Sequence, residues 1–233
     1  MQRCQLSIIL PLFNPHTGWA KELISSLINL STYFVNVNYR IVIVNDGSTK
    51  ISDNEIADVL KSNTSIVYCH YEKNRGKGYA IRQGVRELSA DFYIYTDWDF
   101  PFGQKIVFEA YQQLVKGNVD LIIGKRNATY FKSLPWERRI VSESLKLVNF
   151  VVTGFKIGDT QAGLKGLSQR ASEALLTTQT DSFVFEFEFI RASLKEKITY
   201  SFIDISIDES VRFSNFSMKT FYREFVNYIK LFF

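Results

Sequence analysis

The chain has 233 residues, 46% of them hydrophobic, and its 28 Lys and Arg against 24 Asp and Glu leave a net charge of +4. That length supports one large domain with a substantial core, and so even a charge balance argues against a nucleic-acid partner unless the charge is locally concentrated. Cys4 and Cys69 are the two cysteines, without metal-ligand spacing, which argues against a disulfide framework and for a reducing compartment.

The N-terminal stretch MQRCQLSIILPLF has a short apolar part that runs into polar sequence without a small-residue cleavage site, so it reads as a first strand and not as a signal peptide. YRIVIVN, SIVYCHY, DFYIYT and VDLIIG follow as further strands. Each is nearly continuous in apolar residues, the pattern of strands covered on both faces. The segments between them have helical spacing. In GYAIRQGVREL, Tyr79, Ile81, Val85 and Leu88 share one face, and Arg82, Gln83, Arg86 and Glu87 are expected to face water. Five such alternations predict an α/β fold, a mostly parallel central sheet flanked by helices. Beyond Gly124 a basic loop carries Lys125, Arg126, Lys132, Arg138 and Arg139 against the single acid Glu137, and leads into a predicted helix over 140–155. Then come DTQAGLKGL, a helix around FEFEFIRASL, a strand ITYSFIDISI and a C-terminal helix. No repeat or Pro/Gly linker separates the halves, so one domain over 1–233 is expected, and no run approaches the ~18 consecutive apolar residues of a membrane span.

In open α/β sheets ligands bind beyond the carboxyl ends of the strands. The polar residues gather there: Pro11 and Asn14 after the first strand, Asn45 to Thr49 after the second, Asn74 to Gly78 after the third, TDWDFP after the fourth, and Lys125 and Arg126 after the fifth. Carboxylates, glycines and basic side chains on one rim suit a nucleotide with a diphosphate. Taken singly, the motifs are ambiguous. Asp46-Gly47 is also a common turn or helix cap, and the Gly76-Lys77-Gly78 loop is either a plain turn or a cradle bringing backbone N–H groups and Lys77 to a phosphate. Ile81 stands where G-x-G-x-x-G needs its third glycine, and no G-x-x-x-x-G-K-[ST] occurs, which disfavours nicotinamide, flavin and NTPase sites. Asp97 and Asp99, at i and i+2 of an extended chain, project to the same side, and carboxylate oxygens are the hard ligands that Mg²⁺ or Mn²⁺ prefers. A bare D-x-D also arises in capping turns; its place at the end of the fourth strand, facing Asp46 and Lys77, favours the metal reading. Trp98 is expected to point away from both acids and pack beneath the rim. His16 and His70 have no second ligand at metal spacing and are assigned no role.

In that order and spacing, IILPLFN, VNDGST, NRGKGYAIRQGV, TDWDFP, IIGKR and DTQAGLKGL resemble the family 2 glycosyltransferases of GT-A fold, in particular the branch of dolichyl-phosphate glucose and mannose synthases, over about residues 6–195. The resemblance implies a nucleotide-sugar-binding half at 1–124, an acceptor-side half at 125–215 and an amphipathic tail at 216–233. It implies that Asp46 contacts the donor base alongside Pro11 and Asn14, and that Gly76, Lys77 and Gly78 lie along the nucleotide. Asp99 becomes the principal ligand of Mg²⁺ or Mn²⁺, and Asp97 lies nearer the ribose and diphosphate. Arg126 matches a family arginine. Arg138 and Ser142, with Gln161 and Lys165, match acceptor-phosphate positions; Asp159 belongs to the same motif as Gln161 and Lys165. Glu186 and Glu188 match an acidic pair, of which at most one enters the site, because residues two apart on a helix diverge. The sequence departs from the family pattern at Asn45, where an acid is usual, at Pro15, Trp98 and Leu164.

The reaction so implied is an inverting, metal-dependent transfer from a UDP- or GDP-sugar to a polyprenyl phosphate. Transfer to a saccharide hydroxyl is the alternative, with Asp159, Glu186 or Glu188 as base, and a non-catalytic nucleotide-sugar-binding protein is the alternative of another class. In the tail, Phe221, Tyr222, Phe225, Tyr228, Ile229 and Phe232 form an aromatic stripe opposite Lys219, Arg223 and Lys230. The stripe fits a membrane interface, core packing or a dimer seam. With the basic stretch 125–155 it gives an expectation of a cytoplasmic protein in peripheral contact with the membrane face.

Overall fold

A computed structural model describes residues 3–126, 162–182 and 184–206. The first half alternates strand and helix throughout: β1 (Cys4–Leu12), α1 (Trp19–Tyr33), β2 (Tyr39–Asp46), α2 (Asp53–Ser62), β3 (Ile66–Tyr71), α3 (Lys77–Glu87), β4 (Ala90–Tyr95), α4 (Gln104–Val115) and β5 (Leu121–Arg126). These are the five strands expected from the apolar runs. The second half adds β6 (Lys165–Ser168), α5 (Gln169–Leu176), α6 (Phe185–Lys195) and β7 (Tyr200–Ile205). Strand β6, within the glycine-containing motif, and the short helix α5 are additions to the sequence expectation; Ser168 caps α5 by accepting from the Ala171 amide. The helix expected over 140–155 and the C-terminal helix at 216–233 lie outside the described residues.

The strands form one sheet in the order β3-β2-β1-β4-β6-β5-β7. β1, β2, β3 and β4 are mutually parallel, β6 runs antiparallel between β4 and β5, and β7 is parallel to β5. Reversing β6 brings its first residue to the rim where its neighbours end, and Lys165 pairs with Tyr95, the last residue of β4. The carboxyl ends of β1 to β5 and the amino end of β6 therefore share one edge.

Both faces of the sheet are covered, which is why its strands carry nearly unbroken apolar runs. Leu6, Ile8, Leu10, Ile41 and Ile43 pack on one side with Leu23 and Leu27 of α1 and Leu114 of α4; Ile9, Val42 and Val44 pack on the other with Ala80, Ile81 and Val85 of α3 and Phe185 and Phe189 of α6. One side chain of α3 departs from the expected amphipathic pattern. Arg82 is 4% exposed instead of facing water, because α5 and the start of α6 cover the flank of α3 on which it lies, and their connecting loop supplies its hydrogen-bond acceptors.

Close packing of α3 leaves no room at Gly84, where a Cβ would come within 2.4 Å of Ile9 Cγ2. In an exposed helix, Gly→Ala gains up to about 1 kcal/mol of propensity. Overpacking a core costs about 1–3 kcal/mol, so here the clash outweighs the gain. Gly84→Ala is expected to lower the urea midpoint of unfolding, and a midpoint at or above wild type would contradict this packing.

Candidate active site

The donor-side rim is built by side chains that tie neighbouring loops together. Asp46, the last residue of β2, is 3% exposed. Its Oδ1 accepts from the Arg75 amide at 2.7 Å, and its Oδ2 accepts from the Gly76 amide at 2.9 Å and from Asn74 Nδ2 at 2.8 Å. One carboxylate thus sets the course of the whole loop from β3 into α3. At the neighbouring loops, the Asn14 amide donates to Ser48 Oγ at 2.9 Å, and Asn14 Oδ1 accepts from the Thr49 amide at 2.9 Å. Asn45 uses both ends of its side chain: Oδ1 accepts from the Ser48 amide at 2.9 Å and Nδ2 donates to the Tyr68 hydroxyl at 2.8 Å. Pro11 lies on β1 beside Val44.

At the centre of the rim stands a cluster of ionisable groups. Asp97 and Asp99 follow β4, and Lys77, at the start of α3, donates from Nζ to Asp97 Oδ1 at 2.7 Å. Below them Lys165 is fully buried. Its Nζ donates to Glu186 Oε2 at 2.8 Å and to the Ala162 carbonyl at 2.6 Å, and it stands 5.8 Å from the centre of the Tyr95 ring. Glu186, near the start of α6, is 3% exposed. Burial pushes its carboxyl above the usual carboxylate range, against the pull of Lys165 and Lys77. Burial would lower the Lys77 ammonium, but Asp97 first and then Glu186 outweigh it and hold the group above the ordinary lysine value. Glu188 turns away from this cluster and accepts from the Gln179 and Thr180 amides at 3.0 and 2.8 Å. The two acids of α6 therefore face different partners, as their spacing requires.

Asp99 is the second carboxylate that follows β4. Burial, and next the charge of Asp97, push its pKa up to about 6. A divalent cation would remove that repulsion, and the donor set suits one: two carboxylates with hard oxygens, Asp97 Oδ2 lying against a glycine at 163 where any Cβ would come within 2.5 Å. Among the described residues, no cluster of three or more acidic, His or Cys side chains surrounds a common point. The residues thus fit Mg²⁺ or Mn²⁺ held by Asp99 with Asp97 and completed by waters and substrate oxygens, the usual coordination of such ions.

Of the residues singled out in the sequence, Lys77, Asp97, Lys165 and Glu186 come together, with Asp99 adjoining. Asp46, Gly76 and Gly78 form the neighbouring loop, and Asn14 the next one. Arg126 ends β5, two strands from β4. Arg138, Ser142, Asp159 and Gln161 lie outside the described residues. Trp98 packs beneath the rim as expected, against the Trp19 ring edge-on at 6.4 Å and beside His16 at 5.4 Å. His16, assigned no role, also pairs with Glu22 at 3.2 Å. Asn74, placed on the rim from the sequence but given no role, proves to hold Asp46, and the carbonyl of Ala162 was not foreseen. Asn74 stands directly before the basic glycine loop, a signal available in the sequence; a backbone carbonyl leaves none.

The model of the family described as "Glycosyl transferase family 2" matches residues 7–176. A UDP-N-acetylglucosamine–dolichyl-phosphate N-acetylglucosaminyltransferase of Methanococcus voltae is 25% identical over 72% of this chain and 71% of its own length. A dolichyl-phosphate beta-glucosyltransferase of Saccharomyces cerevisiae is 24% identical over 88% of this chain and 67% of its own. Among solved structures, glucosyl-3-phosphoglycerate synthase of Mycobacterium tuberculosis with Mn²⁺ and UDP-glucose superposes with a TM-score of 0.67, covering 97% of this chain and 78% of that one at 15% identity. That likeness is one of fold.

The raised Asp99 pKa has a measurable consequence. An unfolded aspartate ionises near 4, whereas folded Asp99 keeps its proton up to about pH 6. Its contribution to stability is thus fully present below pH ~4 and lost as pH rises through 6, with a difference of at most about 3 kcal/mol. In the absence of metal, Asp99→Asn is expected to match wild type below pH 4 and to exceed it in thermal stability at pH 7.5. Mn²⁺ should raise the melting temperature of wild type only. A metal-free variant less stable than wild type at pH 7.5 would overturn the electrostatic account.

Proposed function

The chain belongs to glycosyl transferase family 2 and is a nucleotide-sugar-dependent glycosyltransferase of GT-A fold, and from that premise we propose that it moves a sugar from a UDP- or GDP-sugar to a polyprenyl phosphate with inversion at the anomeric carbon. The acceptor class rests on the two dolichyl-phosphate relatives, whose matches span 72% and 88% of this chain.

In this reading the acceptor phosphate oxygen attacks the anomeric carbon, the bond from that carbon to the donor diphosphate breaks, and the diphosphate leaves with the bonding electrons. Charge builds on the leaving group, and preorganised cations lower the barrier where it develops. Mg²⁺ or Mn²⁺, held by Asp99 and Asp97, would supply such charge when bound. Lys77, kept protonated by its acidic neighbours, stands beside the same two carboxylates and would meet the diphosphate. Asp46 would hold the Gly76–Gly78 loop along the nucleotide and, with Pro11 and Asn14, border the base. Arg126 is assigned to the diphosphate, and Arg138, Ser142 and Gln161 to the acceptor phosphate, where a guanidinium gives bidentate contacts; Lys165, expected there too, is fully buried and bonded to Glu186 and the Ala162 carbonyl, so it supports the site from beneath instead of meeting that phosphate.

A phosphate oxygen arrives already ionised near neutral pH and needs no general base. A saccharide hydroxyl needs one. Among the described residues the acid beneath the site, Glu186, is engaged by the fully buried Lys165 at 2.8 Å, which favours the acceptor that brings its own charge. Asp159 is the base of the alternative reading. The proposal includes peripheral membrane contact through 125–155 and 216–233; among the described residues no helix is long and apolar enough to cross a membrane.

The test is a transfer assay with UDP- and GDP-sugars, Mn²⁺, and polyprenyl phosphate or oligosaccharide acceptors. Transfer is expected to polyprenyl phosphate. Arg138→Ala should raise the KM for the lipid phosphate tenfold or more, the loss of a charge-assisted hydrogen bond, with the donor KM unchanged. Equal rises in both would count against the acceptor assignment, and transfer to the oligosaccharide alone would replace it with the second reading.

A further inference from the structure

Arg82 does not touch the rim, yet it is buried to 4% exposure inside an α/β core, where an arginine is retained only with its donors satisfied. All its described partners belong to one loop, between α5 and α6. Nη1 donates to the Thr180 carbonyl at 2.8 Å and to Thr178 Oγ1 at 3.2 Å; Nη2 donates to the Gln179 carbonyl at 3.5 Å and pairs with the Asp181 carboxylate. Glu188 satisfies the same loop from the opposite side through the Gln179 and Thr180 amides. The loop is thus held by its carbonyls from α3 and by its amides from α6.

The same loop also touches the start of α3. The Gly78 amide donates to the Asp181 carbonyl at 2.8 Å. A Cβ on Gly76 would come within 2.4 Å of the Asp181 carbonyl oxygen, and one on Gly78 within 2.4 Å of the Thr180 carbonyl oxygen. Gly78 and Arg82 are four apart and lie on one face of the helix, so two points one turn apart grip residues 180 and 181. Between Gly76 and Gly78 stands Lys77, whose Nζ holds Asp97. Five residues beyond the loop's Asp181 stands Glu186, which holds Lys165.

We infer that Arg82, through the Asp181 carboxylate, Thr178 Oγ1 and the Gln179 and Thr180 carbonyls, is a positioning residue for the donor site: it fixes the Gly76–Gly78 loop and Lys77 in register with Asp97 and Asp99. The inference rests on the donor nucleotide lying along that loop. Displacing a group about 1 Å from its productive position is enough to cost a large factor in binding or rate. Asp181, with its side chain 38% exposed, can lose its charge without opening the core, which makes it the cleaner handle.

The test uses the full chain and the variants Asp181→Asn, Arg82→Lys and their combination. UDP and GDP with Mn²⁺ are the titrated probes, and amide hydrogen exchange at 76–80 is followed alongside. Asp181→Asn is expected to keep the wild-type circular dichroism spectrum, to speed exchange at 76–80 tenfold or more, and to weaken nucleotide binding tenfold or more. The double variant should be no weaker than Arg82→Lys alone, since both substitutions break one tether. A variant that melts earlier but exchanges at 76–80 and binds nucleotide as wild type does would overturn the inference and leave Arg82 a purely structural residue. Should Arg82→Lys fail to fold, Asp181→Asn decides alone. A wild-type protein that binds neither nucleotide would sink the donor reading, and the exchange measurement would still decide the tether.

Discussion

The carboxylates of Asp97 and Glu186 stand near the end of one strand, with Asp99 adjoining, and Lys77 and Lys165 are brought to meet the first two. Isolated charges are costly in a low-dielectric interior, and pairing with hydrogen bonding is what offsets the cost. The two lysines divide the work by depth. Lys165, without solvent exposure, neutralises Glu186 and spends a further N–H on the Ala162 carbonyl. Lys77, nearer the surface, neutralises Asp97. Asp99 adjoins them, and burial first, then the charge of Asp97, pushes its pKa up to about 6. A divalent cation would supply counter-charge at that position.

This compensation depends on topology more than on local sequence. An all-parallel sheet would place the first residue of every strand at the far edge. Strand β6 runs the other way between β4 and β5, so Lys165 starts beside Tyr95 and its ammonium lies under the rim instead of beneath the opposite edge. Helix α6 then brings Glu186 in its first turn. A single reversed strand, four residues long, thereby couples the second half of the chain to the edge built by the first.

How much of this was legible follows from the range of each interaction. The five parallel strands announced themselves as apolar runs, because burial on both faces leaves a pattern within each strand. Asp97 and Asp99 were legible as two acids at the end of the fourth strand, which is where the structure places them, beside Lys77. Burial of Arg82 was not legible: periodicity reports the local face of a helix, and what covers that face comes from residues 178–181, about a hundred positions later. Strand β6 was missed for a related reason. Lys165, Gly166, Leu167 and Ser168 have little strand propensity of their own, and they are extended because β4 and β5 offer ladders on both sides.

The departure at Asn45 has a physical account in these contacts. Asn45 is 7% exposed and uses its amide as acceptor toward the Ser48 backbone and as donor toward the Tyr68 hydroxyl. An aspartate there would lose the donor and place a second buried charge directly beside Asp46. Asp46 is itself only 3% exposed, and the hydrogen bonds it accepts come from two backbone amides and a neutral side chain, Asn74, with no cation among them. Unlike the lysine-compensated end of β4, the end of β2 has the means to hold one carboxylate, and the asparagine keeps the loop closed without asking it to hold two.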